Sequence, residues 1–146
     1  MDCFDVVAEA RAWIGTPYRH QGSCRGSGTD CLGLLRGLWR EFIGAEPEVV
    51  PVYTADWAEN GPREVLLEAA ARHLVQVPIP DSKDGDVLVF RLRKGGIAKH
   101  IGIQAHMGGI RTIIHAYSGR GVVETPIGEA WENCIAGVFR FPERGA

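Results

Sequence analysis

The hydrophobic side chains of this 146-residue chain change their spacing near Asp84, and that change limits the folds open to it more than any other feature. Before that point they recur at three- and four-residue steps. Val6, Val7, Ala10, Trp13 and Ile14 form one such stripe, which predicts an amphipathic helix closed by Gly15 and Pro17. Leu34, Leu35, Leu38, Trp39 and Phe42 form a second, predicting a helix over 31–42 with Gly44 as its stop. The stretch 21–29 between them is rich in Gly and Ser and should be loop, with Thr29 or Asp30 placed to cap the helix that follows. A third helix is expected from Pro62 to Leu74, with Pro62 near the first helical position, where its missing N–H costs little. Beyond Asp84 the segments 87–90, 101–103, 110–115, 121–125 and 135–141 are short, rich in β-branched and aromatic residues, and separated by glycines. They predict an antiparallel meander. Helices first and strands afterwards give an α+β architecture, with N-terminal helices packed on an antiparallel sheet.

A chain of this length, 45% hydrophobic, can bury one core, so residues 1–146 are expected to form a single domain. Sixteen basic and eighteen acidic residues nearly cancel, and no apolar run is long enough to cross a bilayer. Neither a nucleic-acid partner nor membrane insertion is expected. The first residues carry Asp2, Asp5 and Glu9 and lack the basic start and apolar run of a secretion signal, so the chain is expected to be made in the cytoplasm without a signal peptide. Cys3, Cys24, Cys31 and Cys134 would then meet a reducing environment first. They include no C-x-x-C pair and the histidines are scattered, so neither a metal site nor any other cofactor is expected. The tail 142–146 is expected to fray.

Chemistry concentrates at Cys31. A cysteine in the first turn of a helix is favoured as a thiolate, because the helix dipole and unpaired N–H groups stabilise negative charge there and lower the thiol pKa. Cys31 could instead be a small buried hydrophobe, or a redox thiol resolved by Cys24. His100 stands at the start of an apolar strand and could take the thiol proton. His115 closes the next strand, and a turn near Gly108 and Gly109 would set the two imidazoles side by side at one end of a hairpin. His20, His73 and His106 read as ordinary polar residues. Nucleophile, base and orienter would thus converge from separate parts of the chain.

Five motifs then appear in order: Gly15-Thr-Pro-Tyr18, Thr29-Asp-Cys-Leu-Gly-Leu-Leu35, Asp84-Gly-Asp-Val-Leu-Val-Phe90, Lys99-His-Ile-Gly-Ile103 and Ile114-His-Ala116. Together they resemble the NlpC-type family of cell-wall cysteine peptidases, a compact version of the papain-like fold, along nearly the whole chain. The resemblance implies Cys31 as nucleophile, His100 as general base and His115 as the residue that orients its ring. It implies substrate-binding roles for Tyr18, near the scissile carbonyl, and for Asp30, toward a free amine of the substrate. The implied activity is hydrolysis of peptidoglycan stem peptides between γ-D-glutamate and a diamino acid. Leu32 stands where the family usually has serine after the nucleophile. With the short chain, this Asp-Cys-Leu-Gly variant resembles the phage-type branch, which implies tail or baseplate proteins as partners, a particle-associated location and action at the cell wall. The connection 45–60, with Val49, Val50, Val52, Tyr53 and Trp57, is a candidate attachment surface. Two rivals stand beside it: an acyltransferase or amidase that uses the same Cys-His dyad with another acceptor, and a non-catalytic structural plug of a tail in which the dyad is incidental.

Overall fold

A computed structural model of the chain describes residues 3–48 and 64–143. The candidate attachment residues Val49, Val50, Val52, Tyr53 and Trp57, the expected helix start at Pro62 and most of the expected frayed tail lie outside them.

The first helix, α1 (Cys3–Ala12), buries Val6, Val7 and Ala10. It ends two residues before Ile14, which is therefore exposed on the turn rather than part of the stripe, while Trp13 still packs inward. The turn ends at Gly15, whose φ of 93° belongs to the left-handed region that glycine adopts without strain. The loop expected over 21–29 contains a small hairpin, β1 (Ser23–Cys24) and β2 (Gly28–Thr29). Asp30 then caps α2 (Cys31–Phe42), its Oδ1 accepting the Gly33 N–H at 2.7 Å. Leu34 and Leu38 form the buried part of the α2 stripe, with Leu35, Trp39 and Phe42 half-buried beside it. Two glycines set the spacing. A Cβ at Gly33 would lie 1.8 Å from the Gly22 carbonyl oxygen, and one at Gly37 would lie 2.2 Å from the Trp13 ring, so α2 can approach the loop and α1 only without side chains there.

The third helix, α3 (Val65–His73), buries Leu66 and Ala70 and stops at Leu74, whose backbone is extended. It leads into β3 (Val75–Val77), an edge strand absent from the expectation, and a single 3-10 turn over Ile79–Asp81. Then come β4 (Val87–Phe90), β5 (His100–Met107), β6 (Ile110–Tyr117), β7 (Gly121–Pro126), a one-turn helix α4 (Glu129–Glu132) and β8 (Ile135–Arg140). The six-stranded sheet runs in the order β3-β8-β4-β5-β6-β7, with antiparallel pairing throughout. The α+β expectation of helices with an antiparallel sheet is met. The meander holds only for β4 to β7, because β8 returns across the molecule to lie between β3 and β4.

Alternation along β4 divides the interior. Val87 and Val89 face the layer formed with α1 and α2, whereas Leu88 and Phe90 belong to a second cluster with Val77, Ile113 and Val138. All four β4 residues are therefore buried, which is why this strand reads as a continuous apolar run. Asp86, just before it, is buried and accepts two hydrogen bonds from Arg140, at 2.7 and 2.8 Å, and one from the Lys83 N–H. That pair fastens the end of β8 to the start of β4. Among the described residues no helix is long and apolar enough to cross a membrane.

Candidate active site

The head of α2 meets the start of β5. The Cys31 thiol points toward the Lys99 carbonyl oxygen, with 3.8 Å between sulfur and oxygen, and receives the Ile101 N–H, so the sulfur touches the backbone on both sides of His100. Phe90 is the register partner of His100, and the hairpin between β5 and β6 turns through Gly108 and Gly109, both at positive φ. That register brings His115 beside His100, with His100 Nε2 2.8 Å from His115 Nδ1. The other nitrogen of His115, Nε2, lies 3.1 Å from the Thr125 hydroxyl on β7. Because His100 spends Nε2 on His115, only its Nδ1 remains for a reacting group.

Burial governs the charge state. His100 is driven down to about 3 by loss of water and then by the neighbouring His115, and His115 down to about 4 by loss of water. Burial first, and then the charge of Asp30, push the Cys31 thiol up to about 12, against the N–H groups of Ile101, Leu32 and Cys31 that favour the thiolate. The sequence expectation that the helix start lowers the Cys31 pKa is corrected here: the N–H groups act in the expected direction, but dehydration and Asp30 outweigh them. At rest the site holds a neutral thiol and two neutral imidazoles.

Tyr18 stands at the rim, its side of the chain pinned by a parallel bridge to Thr29. Its hydroxyl is raised to about 12, first by burial and then by the charges of Cys31 and Asp30, which puts it in electrostatic reach of both. Asp30 is 3% exposed. Its Oδ1 takes the Gly33 N–H and its Oδ2 the Gln21 N–H at 2.8 Å, so its carboxylate ties the loop to the helix. These are the contacts of a cap. A substrate amine would have to reach a group already turned inward.

Two residues at the site carry no sequence signal of their own. Thr125 is one of three threonines in the described strands, and nothing marks it out until β6 and β7 pair. Trp131, on α4, packs against His100, His115 and Phe90 with ring centroids 5.7, 5.4 and 5.1 Å apart, and Tyr117 completes the aromatic surround. Cys24 is exposed and Cys134 half-buried, both as free thiols, and His106 pairs with Asp84, away from the histidine pair. Among the described residues, no group of three or more His, Cys, Asp or Glu side chains is arranged to hold a metal ion.

The sequence model described as the NlpC/P60 family matches residues 15–140. A γ-DL-glutamyl hydrolase of Bacillus subtilis is 30% identical over 137 residues, which is 93% of this chain and 29% of that protein. This chain thus spans less than a third of that relative's length. The crystal structure of the NlpC/p60 domain of the peptidoglycan hydrolase SagA superposes with a TM-score of 0.62 at 24% identity, covering 97% of this chain and all of that one. An NlpC/P60 family protein from Bacillus cereus does so at 0.64 and 21% identity, covering 97% of this chain and 40% of that one. At these identities the two structures speak for the fold.

Proposed function

The chain belongs to the NlpC/P60 family, and from that premise we propose that it is a cysteine peptidase of bacterial peptidoglycan, cutting stem peptides between γ-D-glutamate and a diamino acid. The observation that carries this reading is the convergence of three segments: a thiol at the head of α2, held against the backbone flanking His100, and two imidazoles joined at 2.8 Å. The name of the Bacillus subtilis relative, a γ-glutamyl hydrolase, supports the choice of bond.

In this mechanism Cys31 is the nucleophile and His100 the base. Because the resting pair is neutral, the thiol proton passes to His100 Nδ1 as the sulfur attacks the peptide carbonyl, so charge develops only with substrate in place. The resulting oxyanion is stabilised by N–H groups at the start of α2, with the Tyr18 hydroxyl beside it. His100 returns the proton to the leaving amine as the C–N bond breaks. A water that gives its proton to the same nitrogen then hydrolyses the thioester. His115 orients the His100 ring, Tyr18 contacts substrate, and Asp30 shapes the loop that carries the thiol. No cofactor takes part.

Mass spectrometry of purified wall fragments after digestion tests the reading. New γ-D-glutamyl carboxyl ends and free diamino-acid amines are expected from the wild type and none from Cys31→Ala. Products joined to an acceptor other than water would instead make the protein an acyltransferase, and intact fragments would favour a structural plug.

The Asp30-Cys31-Leu32-Gly33 variant supports a finer reading, that the protein works within the tail or baseplate of a phage-like particle. Particles purified from the source strain should then contain it in stoichiometric amount. Recovery solely from soluble lysate would sink that placement.

A further inference from the structure

We propose that Thr125 is a positioning residue: its hydroxyl accepts the Nε2 proton of His115 and so fixes which nitrogen of His100 is bare. This rests on the reading of His100 as general base.

The argument is one of proton direction along Thr125, His115 and His100, which are linked at 3.1 and 2.8 Å. Each neutral imidazole has one N–H and one lone pair. If His115 donates from Nε2 to Thr125, its Nδ1 carries the lone pair and must accept from His100 Nε2–H. The Nδ1 of His100 is then bare, on the one nitrogen left for the thiol. Running the other way, the chain would put a proton on His100 Nδ1, and the ring could take nothing from Cys31. Both arrangements keep the two links intact, so the histidines alone do not choose between them. The choice falls to the group at the far end. A hydroxyl can act in either sense; in the direction proposed, Thr125, which is half-buried, gives its own proton to water and its oxygen accepts from His115. The buried imidazoles cannot exchange roles with solvent in that way, being 8% and 1% exposed.

The experiment is long-range 15N–1H NMR of the histidine side chains in the intact protein, with kinetics on wall fragments. In the wild type both His100 and His115 should be in the Nε2–H form near neutral pH. Either ring found as Nδ1–H overturns the proposal without any variant. Thr125→Val keeps the shape and removes the acceptor, and is expected to shift His115 toward its Nδ1–H form and to lower kcat about tenfold at nearly constant KM. Thr125→Ser should restore both. A loss of turnover with unshifted ring nitrogens, or no rescue by Thr125→Ser, would mean packing alone and overturn it. Failure of the catalytic reading looks different: full activity in Cys31→Ala would remove the base assignment while leaving the tautomers as found.

Discussion

At the scale of single residues, the two imidazoles are held uncharged by their surroundings, and this ties the chemistry to stability. Both have folded-state pKa values, about 3 for His100 and about 4 for His115, below the 6.5 of an exposed histidine. The unfolded chain therefore binds more protons across that interval. Stability contributed by the neutral pair is fully present above pH 6.5 and is lost as the pH falls toward 4 and then 3, each histidine contributing a slope of up to about 1.4 kcal/mol per pH unit. Urea unfolding between pH 7 and pH 4.5 should show a shallower dependence in His115→Gln than in the wild type, by about one such slope. Parallel curves would mean that His115 is not buried as a neutral ring. Cys31 and His100, the proposed nucleophile and base, could be singled out in the sequence because each sits at a boundary that local pattern marks, a helix start and a strand start. The protonation of Cys31 was not, because helix position speaks only to the N–H groups, whereas dehydration and Asp30 are set by what folds over the thiol. Asp30 illustrates the same limit, since a carboxylate beside a helix-first cysteine reads equally as cap or as ligand, and only the fold shows its two oxygens on Gly33 and Gln21.

Elements show a parallel division. The α1 and α2 helices were readable from period, the meander strands from their β-branched and aromatic content between glycines, and the tight turn of the β5–β6 hairpin that brings the histidines together from Gly108 and Gly109. Short pieces escaped: the β1–β2 hairpin is too brief to show alternation, and α4 is a single turn between two strands. Yet α4 is the element that carries Trp131 to the histidine pair. Removing that ring should let water reach the imidazoles and raise their pKa toward the ordinary value. Trp131→Ala is accordingly expected to move the acid limb of the kcat/KM profile to higher pH, with Trp131→Phe close to wild type. An acid limb that stays in place in Trp131→Ala would leave α4 with a packing role only.

For the whole molecule, the least legible feature was the placement of β8. Pattern identifies 135–141 as a strand but says nothing of its partners, and sequence proximity favours β7, whereas Phe139 and Val138 pair with Val87 and Leu88, 52 and 50 residues earlier. The motif Asp84-Gly-Asp86 could have hinted at it only in hindsight, through the bond from Asp86 to Arg140. This topology has a consequence for the order of events on the ribosome. The sheet cannot be completed, nor Trp131 brought over His100, until Arg140 has cleared the exit tunnel, because long-range pairing has to wait for both partners. A nascent chain can therefore pair β5 with β6, and so bring the two imidazoles together, before β8 is available, whereas the completed sheet around them waits for the last strand.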